Sequence, residues 1–238
     1  MPGNDYIPPD ASATGCEAAF GRPQRYLGLG IVITNIYVDG FNLYYGALRG
    51  TPYKWLNPLQ MCQVILKPYH AYHRLRYFTA LVKARPHDPD QPVRQEAYLR
   101  AVGTIPGSTV HYGYYLAHEV MMPLATDPRK KVRVIKTEEK GSDVNLATYL
   151  LVDGFRGDYE CAVVVSNDSD LVEPIRIVRD ELKRTVVVLN PHRKQPAQAL
   201  QNTASLFRTI REHALLRSQF PAVLTDAQGR TIRKPSSW

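Results

Sequence analysis

The stretch of residues 161–189 reads CAVVVSNDSDLVEPIRIVRDELKRTVVVL, and its pattern decides the fold class. It opens with five apolar residues and closes with a second apolar run, residues 185–189. Both runs are typical of strands that are buried on both faces. Residues 171–182 between them are predicted to be helical. The strand–helix–strand alternation predicts a parallel sheet that is covered by helices.

The preceding residues continue this alternation. Residues 31–38 (IVITNIYV) are predicted to be a strand that stops at Asp39-Gly40, and Asn57-Pro58 is typical of a helix N-terminus. Further predicted strands span residues 75–82, 109–116 and 132–137, and further helices span residues 57–66, 93–102 and 143–152, the last capped by Ser142. The predicted fold is therefore α/β, a three-layer α/β/α sandwich with a central, mainly parallel sheet.

Three segments are expected along the chain of 238 residues: a flexible leader (1–30), one α/β domain (31–191) and a basic C-terminal extension packed on or beside it (192–238). The formal net charge of +8 arises in residues 176–238, which hold 12 Lys and Arg against 4 Asp and Glu. This bias favours nucleic acid as a partner, ahead of an anionic membrane surface or a merely solvated basic face. Candidate phosphate contacts are Arg193, Lys194, Arg208, Arg211, Arg217, Arg230, Arg233 and Lys234.

Cysteine usage and hydropathy favour a cytoplasmic protein. Cys16, Cys62 and Cys161 show neither a zinc-ligand spacing nor a disulfide framework, which indicates a reducing compartment. The apolar stretch at residues 28–33 is too short to span a bilayer, so no membrane association is expected. Its Gly-x-Gly start lacks the third glycine of a dinucleotide-binding loop.

Aspartates stand at the expected carboxyl ends of two strands and at the start of one helix. Asp39 follows the strand of residues 31–38, Asp168 and Asp170 follow the strand of residues 161–165, and Asp143 opens a helix. Ligands of open parallel sheets bind at the carboxyl ends of the strands, so these side chains are expected to converge. Clustered carboxylates repel one another unless a cation neutralises them, and oxygen ligands suit Mg²⁺ or Mn²⁺. The pattern predicts a divalent-metal site.

Three motifs carry a resemblance to a known family: Tyr37-Val38-Asp39-Gly40-Phe41-Asn42, Lys140-Gly141-Ser142-Asp143 and Val165-Ser166-Asn167-Asp168-Ser169-Asp170-Leu171. They resemble the acidic motifs of NYN domains, which are PIN-like nucleases, and the LabA-like bacterial proteins are the most similar group. The resemblance covers about residues 33–191 and implies Mg²⁺- or Mn²⁺-dependent cleavage of RNA, with DNA left open as the alternative substrate. It implies that Asp39, Asp143, Asp168 and Asp170 are metal ligands and catalytic residues.

The resemblance extends to the neighbours of these aspartates. It implies that Asn42 orients Asp39 or contacts a phosphate, with a simple helix cap as the alternative. It also implies that Ser166 hydrogen-bonds within the strand-end turn.

Among other acidic residues, Asp153 and Asp158 are expected in an exposed turn. Glu138 and Glu139 are expected in a solvated loop, with an approach to the metal as the alternative. His111, His118 and His192 lack ligand spacing, and Tyr44, Tyr45, Tyr112, Tyr114 and Tyr115 could stack on bases, although a core or rim position is expected.

Three other functions are alternatives to a nuclease. A haloacid-dehalogenase-type phosphatase requires an Asp two residues after the first, where this chain has Phe41. A P-loop NTPase requires GxxxxGK[ST], which is absent from the sequence. A non-catalytic RNA-binding or regulatory module on a PIN-like scaffold stays open as the alternative.

Overall fold

Strand β1 (Val32–Asp39) is the central strand of a seven-stranded sheet. The computed structural model of the chain describes residues 30–192 and 196–238. Within these residues the remaining elements are α1 (Gly40–Leu43), α2 (Pro58–Ile65), β2 (His70–Ala80), α3 (Gln91–Val102), β3 (Ser108–Leu124), β4 (Asp127–Lys140), α4 (Ser142–Phe155), β5 (Cys161–Val165), α5 (Val172–Arg176), β6 (Thr185–Asn190), α6 (Gln198–Thr203), β7 (Leu206–Thr209), α7 (Glu212–Leu216), β8 (Val223–Thr225) and β9 (Thr231–Arg233).

The strand order confirms the predicted fold class. The order is β4-β3-β2-β1-β5-β6-β7, and every pair is parallel except β3 with β4. Ile36 and Val38 of β1 belong to one core with residues of α2 and α3, whereas Tyr37 belongs to a second core with residues of α4 and α5. Successive side chains of a strand point to opposite faces, so both faces of the sheet are covered. The protein has the mixed, mostly parallel sheet of an α/β PIN-like fold.

The element ends differ from the predicted ones in three places. Strand β2 begins at His70, and β3 and β4 are far longer than predicted. Gly141, with φ of 95°, is the N-cap of α4, and Ser142 is its first helical residue rather than its cap. The predicted helix of residues 171–182 consists of a 3₁₀ turn (Ser169–Leu171), α5 and a π-helical turn (Ile177–Glu181).

The hairpin of β3 and β4 projects beyond the carboxyl end of β2. Strand β3 pairs with β2 only as far as Gly113, opposite Ala80, and from Tyr114 onward its partner is β4 alone. Large apolar side chains on this projection are exposed, among them Tyr114 and Ile135. The base of the hairpin contacts α1 through the rings of Phe41 and Tyr115, whose centroids are 6.0 Å apart. The base of the hairpin thus lies beside the edge of the sheet where β1 ends.

The residues after 191 take part in the sheet and the core. They add β7 to the edge of the sheet, and Phe220 and Ile232 are buried in the core that α2 and α3 share. Most of the expected leader, residues 1–29 with Cys16, lies outside the described residues. No helix within residues 30–192 and 196–238 has the length and apolar character needed to cross a membrane.

The expectation of an exposed turn at Asp153 is wrong. Asp153 is completely buried, and the Arg76 guanidinium binds it through two bonds of 2.7 and 2.9 Å. The hydroxyl of Tyr37 donates a third bond of 2.8 Å. A buried charge is tolerated when it is paired and hydrogen-bonded in this way. Asp153 is therefore a structural residue between the sheet and α4.

We expect Asp153→Asn to lower the free energy of unfolding by about 3 kcal/mol or more, because it leaves the Arg76 charge buried without its counter-ion. Urea denaturation followed by circular dichroism measures this change. The matched control is Glu119→Gln, which removes the exposed pair of Glu119 with Arg133. That control should change the stability by less than about 0.5 kcal/mol. Equal stability of Asp153→Asn and the wild type would refute a structural ion pair.

Candidate active site

Asp39 is the most buried member of the acidic group, with 3% of its surface exposed. It ends β1, and because Val38 pairs with Val165 the end of β5 lies directly beside it. The Ser166 hydroxyl donates to Asp39 Oδ2 at 2.9 Å, and the Asn42 amide N–H donates to Oδ1 at 2.9 Å. Both carboxylate oxygens are therefore held in place at the carboxyl edge of the central strand.

The turn after β5 is tied to the end of β1. The Asp168 amide donates to Ser166 Oγ at 3.0 Å, and the Asp170 amide donates to Asp168 Oδ1 at 3.0 Å. The Asn42 side-chain oxygen accepts from the Asn167 amide at 3.0 Å. The predicted bond of Ser166 within this turn is present, and its bond to Asp39 adds a link between strands. Asn42 is not a simple helix cap, because its side chain joins α1 to the β5 turn.

Asp143 reaches the same edge from the first turn of α4. Directly before it, Glu139 accepts from the Ser142 hydroxyl at 2.7 Å and from the Ser142 amide at 3.2 Å. A Cβ atom on Gly113 would overlap the Glu139 carboxylate, so this position of β3 needs glycine for β4 to approach. The expectation of a solvated loop is wrong for Glu139, which lies on β4 and is half-buried. Its proximity to the aspartates is the alternative weighed for it.

Electrostatics show that these carboxylates share one environment. Burial is the largest cause that raises the pKa of Asp143 to about 7, followed by the negative charges of Asp39, Asp168, Glu139 and Asp170. Burial also raises the pKa of Asp39 to about 6. The hydrogen bonds from Asn42 and Ser166 lower this pKa, and the negative charge of Asp168 raises it further. The carboxylates from β1, α4 and the β5 turn therefore repel one another.

The donor set fits a hard divalent cation. Within residues 30–192 and 196–238, no Lys or Arg forms an ion pair with Asp39, Asp143, Asp168 or Asp170. Oxygen-only ligands of this kind suit Mg²⁺ or Mn²⁺. In the same part of the chain, no three His, Cys, Asp or Glu side chains are arranged as a closed metal site. The two observations agree if the carboxylates lie within Coulombic range but beyond ligand distance of one another.

Other residues named from the sequence are not part of the acidic edge as the structure describes it. Arg193 and Lys194 lie outside the described residues. His111 stacks on Phe78 with ring centroids 5.0 Å apart, and burial lowers its pKa to about 4. Tyr45, Tyr112 and Tyr114 are exposed, and Tyr44 and Tyr115 are half-buried. Glu139 is the one residue at this edge that the sequence reading placed elsewhere, and only the full length of β4 would have revealed it.

The fold and the acidic edge define the class of protein: a PIN-like α/β domain with carboxylates at the carboxyl end of its central strands. The model of the NYN domain family matches residues 33–211, so the chain belongs to the NYN domain family.

Two individual proteins are similar to this chain, one in sequence and one in fold. A curated relative from Pseudomonas putida, 6-hydroxy-3-succinoylpyridine 3-monooxygenase HspA, is 30% identical over an alignment of 246 residues that covers 90% of this chain and 78% of the relative. A solved structure of a Vibrio parahaemolyticus protein of unknown function has a TM-score of 0.52 at 16% identity, over 81% of this chain and 99% of that chain. This second likeness concerns the fold alone.

The raised pKa values of Asp39 and Asp143 make the stability of the metal-free protein depend on pH. Folding raises both above the ordinary value of 3.8, so the folded state takes up protons and loses stability as pH rises from about 4 to 7. In EDTA, we expect Asp143→Asn to melt about 2–4 °C above the wild type at pH 8, a difference of about 1 kcal/mol after allowance for solvent screening.

This advantage should vanish at pH 5, where Asp143 is protonated in the wild type. Differential scanning fluorimetry from pH 5 to 8 measures it. The matched control is Asp90→Asn at an exposed aspartate, which should show no trend with pH. A constant difference between Asp143→Asn and the wild type over this range would contradict the repulsion.

Proposed function

We propose that the protein is a divalent-metal-dependent ribonuclease that hydrolyses phosphodiester bonds, with Asp39, Asp143, Asp168 and Asp170 as metal ligands. One observation carries the proposal. Carboxylates from β1, α4 and the β5 turn share one edge of the sheet and have no basic partner in the described part of the chain. Such a group is unstable by itself and is stabilised by a cation. Membership of the NYN family supports nucleic acid, and RNA in particular, as the substrate.

The residues of the chain have distinct tasks in this proposal. A bound Mg²⁺ or Mn²⁺ supplies Lewis acidity toward a phosphoryl oxygen and a water molecule. Ser166 and the Asn42 amide fix the orientation of the Asp39 carboxylate, and the Asn42 side chain keeps the β5 turn beside it. The start of α4 favours an anion such as a phosphate. The reaction needs no nucleophilic side chain.

Contacts to the RNA backbone are proposed for basic residues near the C-terminus. Arg193 and Lys194 follow β6 in the sequence, and Arg208 and Arg211 are exposed. Other arginines of the basic segment are engaged within the domain: Arg176 with Glu173 and Glu181, Arg179 with Asp180, and Arg230 with Asp226. Fewer basic side chains are therefore free to contact RNA than the formal net charge of +8 suggests. A cytoplasmic location is part of the proposal, and the buried, reduced thiols of Cys62 and Cys161 accord with it.

Asp39→Asn and Asp168→Asn are expected to abolish cleavage of single-stranded RNA in Mg²⁺ or Mn²⁺, with a loss of at least about 100-fold. Each change keeps the shape of the side chain but removes a charge that holds the cation. RNA affinity should change by less than about threefold, because it arises mainly from basic residues. Gel-based cleavage and filter binding of one labelled RNA measure the two quantities. Asp90→Asn is the matched control.

The alternative is a non-catalytic RNA-binding module. It predicts tight binding of RNA by the wild type, with affinity that falls steeply with salt, and intact RNA under every divalent cation. In that case Asp39→Asn would behave as the wild type does. This outcome would replace the ribonuclease proposal.

Mg²⁺ or Mn²⁺ is expected to raise the melting temperature of the wild type, since a ligand that binds only the native state stabilises it. At a concentration of about 100 times Kd the stabilisation is about 2.7 kcal/mol. The Asp39→Asn, Asp168→Asn double variant should lose most of this shift and should be more stable than the wild type in EDTA. An equal cation response in both proteins would exclude a shared site.

A second candidate function rests on the named activity of the Pseudomonas putida relative, which is 30% identical over most of this chain. A corresponding reaction would be monooxygenation of a hydroxypyridine with a carboxylate side chain. Monooxygenation inserts one oxygen atom of O₂ and reduces the other to water, so it needs a two-electron reductant. Uptake of O₂ with 6-hydroxy-3-succinoylpyridine and NADH or NADPH, against the same mixture without protein, tests this candidate.

A further inference from the structure

A cavity of about 350 Å³ opens next to the acidic edge. Its wall includes Gly40 and Phe41, the two residues that follow Asp39, and Tyr77 of β2. A Cβ atom on Gly40 would stand only 2.6 Å from the Tyr77 ring, so the backbone at the end of β1 touches this wall directly. The residue next to Asp39 in the chain is thus part of the cavity wall.

The walls of the cavity are largely aromatic. Phe41, Tyr44, Tyr45, Tyr77, Tyr98 and Trp238 line it. Several of these rings fix one another, because Tyr98 contacts both Tyr77 and Trp238 with centroids 6.0 Å apart. Aromatic walls favour a planar ring, which stacks on one face and meets ring edges on another. The volume is near the lower end of the range for small-molecule sites and fits one or two fused rings.

Lys54 gives the cavity a positive charge without an internal partner. Among the polar lining residues, Arg94 is bound to Asp88, and both ends of the Gln95 amide are held by the backbone of Ala80 and Val82. In the described part of the chain, Lys54 has neither a hydrogen bond nor an ion pair, although it is half-buried in the wall. A half-buried ammonium beside aromatic rings favours an anionic group on the ligand.

We propose that this cavity binds a planar aromatic or heteroaromatic ring that carries an anionic substituent, with the ring between the aromatic walls and the anion at Lys54. Two sources share this chemistry: a nucleotide of an RNA substrate, and a free heteroaromatic acid. The first source rests on the proposed ribonuclease function and would place one base beside the scissile phosphate. The second does not depend on that function.

Tryptophan fluorescence of the full chain reports occupancy of the cavity. Trp238 lines the cavity. The other tryptophan of the chain is Trp55, and its ring centroid lies 6.3 Å from that of Trp238. The titrations use AMP, UMP and 6-hydroxypyridine-3-carboxylate, with adenosine and uridine as uncharged controls. They are done in EDTA on Asp39→Asn protein, so that neither cleavage nor a bound cation contributes.

We expect saturable quenching by at least one of the anionic ligands. If AMP or UMP binds, the corresponding nucleoside should bind about tenfold more weakly. Lys54→Met keeps the aliphatic stem but removes the charge, and should weaken anion binding by about tenfold while leaving the nucleosides unaffected. Val82→Phe adds bulk at the rim of the cavity and should abolish binding of all ligands. Melting temperatures show whether each variant is folded.

The pattern of binding identifies the source. Binding of the monophosphates alone points to RNA, and binding of the pyridine acid alone points to a free heteroaromatic acid. No saturable quenching up to millimolar concentrations in folded protein would overturn the proposal, and so would equal affinities of Lys54→Met and its parent. These titrations measure binding and not cleavage. A negative result would therefore contradict the cavity proposal without bearing on the ribonuclease proposal.

Discussion

Repulsion between carboxylates at one edge of the sheet is the constraint on which the candidate site depends. The strand order makes β1 central and places β5 next to it, so Asp39 and the β5 turn must lie side by side. The return of the long hairpin through β4 then delivers Asp143 to the same edge. Asp39 and the β5 turn cannot move apart separately, because β1 and β5 are paired and buried at the centre of the sheet. The fold holds the charges together, and the free energy of the cores on both faces offsets the repulsion.

The contrast between Asp153 and Asp39 separates an acid whose charge is paired within the protein from one held by neutral donors. Both are buried, but Asp153 receives two bonds from Arg76 and one from Tyr37, so its charge is neutralised within the protein. Among residues 30–192 and 196–238, the donors to Asp39 are the neutral Ser166 and Asn42, and burial raises its pKa to about 6. Neutral donors fix the orientation of a carboxylate without cancelling its charge. A site that must attract a cation needs this arrangement, and a packing site does not.

The sequence predicted the central strands β1, β5 and β6 and the edge where the aspartates lie, because apolar runs indicate buried parallel strands and ligands bind at the carboxyl ends of such strands. It did not predict β7, β8 or β9 or the full length of β3 and β4. The prediction of an exposed turn at Asp153 was wrong, although the sequence contains the reason for its burial. Leu146, Leu150 and Asp153 are spaced as one face of a helix, so the carboxylate follows the two leucines into the core. Its partner Arg76 is 77 residues away on β2, and no local pattern joins the two. Glu139 was placed wrongly because β4 continues through polar residues that alternate weakly.

Gly40 joins the acidic edge to the aromatic cavity, because it directly follows Asp39 and lines the cavity wall. The residue must lack a side chain because the Tyr77 ring and the Phe78 carbonyl oxygen occupy the space of a Cβ atom. A ligand that shifts Tyr77 therefore acts on the backbone that sets the position of Asp39. In this chain, the carboxylates of the acidic edge and the aromatic walls of the cavity are adjacent but built from different side chains. A fold does not fix a function, which depends on the particular side chains of each site. The name of the Pseudomonas putida relative therefore does not exclude the phosphodiester chemistry proposed for the acidic edge.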